Sequence, residues 1–297
     1  IPAACNGLVG LKPTRGLIPT GPHRGEASHG LSHEHAITRS VRDCAAILDA
    51  TAGPDAGAPY FTARPAISYL QALDRPSGCL RIAFTTTTFD GRPVAAECKA
   101  AVEHTVQLLQ DLGHDVEEAQ PEFDAAALGA ACGTLLVTGL AAIVAAREAQ
   151  LGRALQADDL ESVTHEAIAF GRQVSGVQYA SQFAAINREV RRIGRFFEKA
   201  DVLVTPALAT PPVKIGELST QTLSLTQFQQ AMAAFCPFTG AFNATGQPAI
   251  SLPLHWSAEG LPIGVQLVGR FAQDAVLMQL AAQLEMAQPW FRRPVHV

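Results

Sequence analysis

The chain has 297 residues, 48% hydrophobic and 16% charged, a balance that supports a sizeable buried core and excludes intrinsic disorder. A net charge of −5 without any basic stripe excludes a direct nucleic-acid partner. No apolar run reads as long enough and free enough of polar residues to span a bilayer.

Residues 1–40 read as loop. Gly7, Gly10, Gly16, Gly21, Gly25 and Gly30 punctuate them, together with Pro13, Pro19 and Pro22. Such a stretch suits backbone packed closely around a site. Ile1-Pro2-Ala3 carries no initiator methionine and no signal-peptide pattern, so a preceding segment is expected and targeting is not judged. Residues 38–52 are predicted helical, with Ser40 as N-cap, Asp43 three positions on, and Val41, Ala45, Leu48 and Ala52 as the apolar stripe. A βαβ unit follows: a strand over 80–86, a helix over 94–112 and a second strand over 114–118, consistent with a crossover onto a parallel sheet.

Residues 124–200 are predicted mostly helical, with long amphipathic helices over 125–151 and 175–199. A strand over 201–205 ends at Pro206, and a helix covers 225–234. Two β-like runs, 248–252 and 262–268, flank the polar turn Ser257-Ala258-Glu259-Gly260. An amphipathic helix over 274–287 closes the pattern. The alternation implies an α/β fold, a central mixed β-sheet covered on both faces by helices. The six cysteines, Cys5, Cys44, Cys79, Cys98, Cys132 and Cys236, are scattered without a C-x-x-C pair. They read as reduced thiols of a cytoplasmic protein.

Two segments at opposite ends resemble the amidase-signature family. The first is Ile1-Pro2-Ala3 followed by Gly7-Leu8-Val9-Gly10-Leu11-Lys12-Pro13-Thr14-Arg15-Gly16. In that family the nucleophilic serine stands in a Gly-Gly-Ser-Ile-Arg-x-Pro-Ala run, followed by G-x-V-G-L-K-P-T-x-G. The second is Phe242-Asn243-Ala244-Thr245-Gly246-Gln247-Pro248-Ala249-Ile250-Ser251-Leu252-Pro253 with Gly260-Leu261-Pro262-Ile263-Gly264-Val265-Gln266-Leu267-Val268-Gly269. Thr38-Arg39-Ser40-Val41-Arg42-Asp43 and Asp201-Val202-Leu203-Val204-Thr205-Pro206 match two further landmarks in order. The stretch 31–39 looks closer to the branch of nylon-oligomer hydrolases and urethane- or aryl-amide-cleaving amidases than to tRNA-amidotransferase A subunits.

The resemblance implies that residues 1–297 form the C-terminal portion of a single amidase-signature domain, its catalytic N-terminal part outside the sequence. It implies amide-bond hydrolysis by a Ser–cis-Ser–Lys triad, in which a lysine relays through a bridging serine to a nucleophilic serine that forms an acyl-enzyme. A desolvated lysine serves as base once its pKa is lowered. Backbone N–H groups of the Gly-rich loop form the oxyanion hole. By the motif's spacing the nucleophile stands three positions before Ile1, and the other two members lie further upstream. No catalytic residue is therefore assigned within the chain, which alone is expected to be inactive. The resemblance implies no metal or organic cofactor. Its partners are a small-molecule amide and the upstream segment; the oligomeric state stays open, a homodimer among the options.

Candidate substrate-binding residues are Cys5 beside the missing serine, Thr138 on a helical wall with Leu136, Val137 and Leu140, Phe238 in Cys236-Pro237-Phe238-Thr239, and Asn243. Such walls, apolar with a few hydroxyls, favour a neutral amide. Asn243-Ala244-Thr245-Gly246 also reads as a tight turn in which Gly246 supplies backbone freedom. Lys12 reads as a structural tether. His23, His29, His33 and His35 cluster, but without the cysteine or paired carboxylates that would complete a metal site. Glu34 and His35 orient the loop or line an entrance. Two other readings stand: an amidotransferase A-type subunit, and a non-catalytic fragment or binding subunit that keeps the scaffold without the chemistry.

Overall fold

The computed structural model describes residues 1–22 and 25–292. In chain order its helices are α1 (Pro2–Asn6), α2 (Val41–Thr51), α3 (Tyr69–Leu73), α4 (Ala96–Asp111), α5 (Ala125–Leu151), α6 (Ser162–Gly171), α7 (Gly176–Phe196), α8 (Leu225–Phe235), α9 (Gly240–Thr245) and α10 (Asp274–Ala287). Its strands are β1 (Val9–Lys12), β2 (Ile37–Thr38), β3 (Arg81–Phe84), β4 (Asp115–Glu118), β5 (Val202–Pro206), β6 (Ala249–Trp256) and β7 (Pro262–Gly269). They form one mixed sheet in the order β2-β1-β6-β7-β5-β3-β4. β3 runs parallel to β4 and β5, as the crossover predicts, and the remaining pairings are antiparallel.

Alternation along the strands sorts side chains onto two covered faces. Val9, Leu11, Ile82, Val202, Val204, Ile250, Leu252, Val265 and Leu267 pack with residues of α2, α4 and α10. Ala83, Leu203, Ala249 and Val268 face the opposite way, onto α5, α7 and α9. The helices end where their residues dictate. Ser40 accepts from the Asp43 N–H at the start of α2, and Ser175 and Gln178 close a capping box on α7.

Four expectations are corrected. Residues 1–40 are not loop throughout: α1, β1 and β2 lie within them. Thr38 belongs to β2, so the helix begins at Val41. Residues 240–245 form a helix rather than a tight turn, although Gly246 does close it in the left-handed region, at φ 75°. Finally, α5 is long and apolar enough to cross a membrane by length and composition, with only 33% of its most apolar stretch buried. It is apolar around its circumference rather than amphipathic: Leu136, Ile143 and Leu151 are exposed while Leu128, Leu135 and Val144 are buried. The Thr134 and Thr138 hydroxyls interrupt it less than they appear to, because each donates to the carbonyl four residues back.

Candidate active site

The sheet face under α1 is built from small residues. A Cβ at Gly10 would stand 2.5 Å from the Ala3 Cβ, and one at Gly264 would stand 2.7 Å from the Ala4 Cβ. Both distances lie far inside carbon–carbon contact. The two glycines therefore let α1 lie directly on β1 and β7. Pairing then sets a row across four strands: Gly10 faces Ser251, Ser251 faces Gln266, and Gln266 faces Thr205.

Beside α1 opens a cavity of ≈ 350 Å³. Ile1, Pro2 and Ala3 form one wall. His33, His35, Ala36 and Ile37 form another, and Thr239 and Asn243 a third. Gly10, Lys12, Ala249, Ser251 and Gln266 make the floor. Three residues of this floor, Lys12, Ser251 and Gln266, are polar. Gln266 Nε2 donates to Thr205 Oγ1 at 3.0 Å. The buried Ser251 Oγ makes no hydrogen bond within the protein. Lys12 Nζ donates to the Pro13 carbonyl at 3.2 Å.

Burial sets the protonation of this lining. It pulls the Lys12 amine down to about 7; Asp274 opposes the shift and Arg15 adds to it. His33 falls to about 3, chiefly through burial and further through Lys12 and Arg15, with the Leu31 backbone opposing. Its Nδ1 and Nε2 are buried without a hydrogen bond of normal geometry. Burial also lowers the His35 ring, whose Nε2 stands 3.3 Å from Cys44 Sγ. The buried Cys44 thiol is itself pushed up to about 12. At neutral pH the two imidazoles are uncharged, and Lys12 is poised between its two forms.

Arg15 fixes the walls. Its Nε donates to the Gly30 carbonyl at 2.8 Å, and its Nη2 donates to the Asn243 and Ala244 carbonyls at 2.7 and 2.8 Å. A cation at the C-terminal end of α9 satisfies carbonyls that the helix leaves open. Next to it, Thr14 donates its N–H to Asp274 Oδ1 at 2.9 Å and its hydroxyl to Oδ2, which ties the end of β1 to the start of α10.

Of the predicted substrate-binding residues, Asn243 lines the cavity, as does Thr239 from the same segment. Phe238 is fully buried, its ring 5.9 Å from that of Phe89. Thr138 sits half-buried on α5 with its hydroxyl turned into its own helix. Cys5 packs with Ala207, Leu208, Phe235 and Cys236. Glu34 is exposed beside a smaller crevice of ≈ 40 Å³. His29 leaves the histidine cluster to meet the Tyr179 hydroxyl at 3.0 Å, while His23 lies outside the described residues. Among the described residues no three His, Cys, Asp or Glu side chains gather to hold a metal. Sequence reasoning missed Ser251 and Gln266, whose signal was a polar residue at an inward position of an otherwise apolar strand.

Residues 1–278 match the family model described as Amidase. The 6-aminohexanoate-cyclic-dimer hydrolase of Paenarthrobacter ureafaciens is 36% identical over 311 residues, covering 99% of this chain and 62% of that protein. The enzyme of the same name from Pseudomonas sp. (strain NK87) is 36% identical over 309 residues, with the same coverage of 99% and 62%. A solved structure of 6-aminohexanoate cyclic dimer hydrolase complexed with substrate superposes with a TM-score of 0.90 at 34% identity, covering 98% of this chain and 63% of that one. The chain thus spans less than two thirds of the length of these relatives. With the family match, the identity to these relatives and the overall superposition in agreement, the chain belongs to the amidase-signature family.

Proposed function

We propose that this chain is the C-terminal portion of a single amidase-signature domain that hydrolyses amide bonds. One observation carries the reading. Ile1-Pro2-Ala3, which in the family follow the nucleophilic serine, form a wall of the ≈ 350 Å³ cavity. A serine three positions before Ile1 stands within reach of that space. In this reading a lysine upstream takes the serine proton through a bridging cis-Ser. The serine oxygen bonds to the amide carbon, and the C–N bond breaks as the amine leaves with the proton. Water then cleaves the acyl-enzyme ester to the acid and frees the serine. Residues 1–297 supply the walls and floor and leave the bond-breaking groups to the upstream segment.

The substrate class is a small amide, linear or cyclic, with urethanes and aryl amides within reach of the same chemistry. The relatives named for 6-aminohexanoate cyclic dimer favour the cyclic case. The thiols, all six free, support a cytoplasmic location. The coding sequence before Ile1 tests the proposal. It is expected to end in a Gly-Gly-Ser-Ile-Arg run and to carry an earlier serine and lysine. A chain extended by that segment should cleave an anilide, and residues 1–297 alone should not. Turnover by residues 1–297 alone, or an upstream segment without those residues, would overturn the proposal.

A further inference from the structure

One face of α5 is apolar and largely uncovered. Between Asp124 and Arg147 the helix holds no charged residue. Gly129, Gly133, Leu136, Leu140 and Ile143 recur at alternating spacings of four and three, the pattern of a helix–helix seam. Leu136 is 45% exposed and Ile143 61%. The glycines of this helical layer fall into two kinds. Gly139 makes room for the His29 ring and Gly171 for the Val137 carbonyl: a Cβ there would stand 2.6 Å from His29 Nε2 and 2.2 Å from the carbonyl oxygen. A Cβ at Gly129 or Gly133 would meet nothing within 4 Å. Glycine inside a helix costs stability, and among the described residues no neighbour needs the room that these two leave.

We propose that the segment upstream of Ile1 packs a helix along this seam, with its larger side chains over Gly129 and Gly133. The proposal rests on the hydrolase reading for the existence of that segment, not for its chemistry. Length favours this occupant: each curated relative above is matched over only 62% of its own chain, which leaves more than a third of it to cover such a face. The sheet favours it too. Gly10 and Gly264, which seat α1, alternate with Val9, Leu11, Ile263 and Val265, whose side chains pack with α2, α4 and α10. α1 therefore lies on the opposite face, the one that carries α5, α7 and α9. Ile1 and Asn243 of α9 line the same cavity, and α9 packs against α5. A chain that enters at Ile1 thus comes from the side on which the seam lies open. A seam one helix wide is narrow for two separate molecules, whose stable interfaces bury about 1,200–2,000 Å². It suffices for a segment of the same chain, which the covalent link holds nearby at high effective concentration.

Thiol labelling tests this in two chains, residues 1–297 and the same chain extended by its upstream coding sequence, each carrying Ile143→Cys. The labels of a water-soluble maleimide are located by peptide mapping. Cys79 is the internal standard, because it is exposed and Ser77 beside it bonds Gln283 of α10, on the other face of the sheet. Relative to Cys79, position 143 should react at least about tenfold more slowly in the extended chain, since a docked seam reacts only when it opens. In residues 1–297 it should react freely at every protein concentration. Gly129→Leu gives a second reading by sign. It should raise the urea midpoint of residues 1–297, where the Cβ enters open space and a poor helix former is replaced. It should lower the midpoint of the extended chain, where the side chain meets the docked helix. Equal labelling of position 143 in the two chains, or a midpoint that Gly129→Leu raises in both, would overturn the proposal. So would protection in residues 1–297 that grows with its concentration or with added phosphatidylcholine vesicles, the marks of a second copy and of a lipid surface. A protected seam in an extended chain that cleaves no anilide would sink the hydrolase reading and leave this one standing.

Discussion

The contact between α1 and the sheet makes a sharp prediction, because one methyl group decides it. In Gly10→Ala the new Cβ would lie 2.5 Å from the Ala3 Cβ, and the next neighbour is the Ala3 Cα at 3.9 Å. Carbon atoms pack at about 3.5–4.0 Å, so α1 must lift by roughly 1 Å. Ala3 is 3% exposed and β1 is held between β2 and β6, so neither side has room to yield. Overpacking of this kind costs about 1–3 kcal/mol. Gly10 is not in the left-handed region, so the backbone adds no penalty of its own. Ala3→Gly removes the opposing methyl, at about 1 kcal/mol in helix propensity and about 0.8 kcal/mol in lost burial. Urea unfolding of the four chains in the double-mutant cycle measures the coupling. Gly10→Ala alone should lower the midpoint, and adding Ala3→Gly should recover at least about 1 kcal/mol relative to the sum of the single changes. Additive single effects, or a Gly10→Ala chain as stable as the parent, would refute close packing of α1 on β1 and with it the position of the Ile1–Ala3 wall.

Two further predictions test the lining. The Lys12 amine sits at about 7 in the folded chain against an ordinary 10.5. Between those values the unfolded chain holds a proton that the folded chain has released, so stability should rise as pH climbs through that window, and the full cost of burying the cation should stand below it. Lys12→Met should therefore be more stable than the parent at about pH 6, by a few kcal/mol at about 1.4 kcal/mol per unit of displacement, with the gap closing near pH 10; a gap that denaturation at several pH values finds constant would refute this. Arg15→Lys should cost about 1–3 kcal/mol in urea unfolding despite keeping the charge, because a point-like ammonium cannot reproduce the fork that reaches Gly30, Asn243 and Ala244. A lysine variant as stable as the parent would show that charge at the end of α9, rather than the fork, holds the walls.

How much of this was legible depended on whether local pattern or long-range pairing fixed each feature. The buried strands β5 and β7 and helices α2, α7 and α10 follow from apolar runs, capping residues and helical periodicity, all of which act within a few residues. The structure within residues 1–40 was hidden because glycine has two physical uses. At Gly10 it grants close approach rather than chain flexibility, and sequence alone does not separate the two. The helix α9 was hidden because Asn243, Thr245 and Gly246 carry turn chemistry. That segment stays helical because Arg15, more than two hundred residues away in sequence, satisfies its last carbonyls. The site behaves the same way. Gly10, Ser251, Gln266 and Thr205 form one row only because β1, β6, β7 and β5 lie side by side, an order that chain sequence does not follow. Yet a trace was present. A strand covered on both faces has little use for a hydroxyl or an amide unless polar partners meet it there. Ser251 between Ile250 and Leu252, and Gln266 between Val265 and Leu267, break that rule on the same face. The glycines that seat α1 and the polar residues that floor the cavity therefore answer one requirement: this part of the sheet is shaped to hold polar groups and backbone at short range, whereas the rest of the same strands is shaped to exclude water.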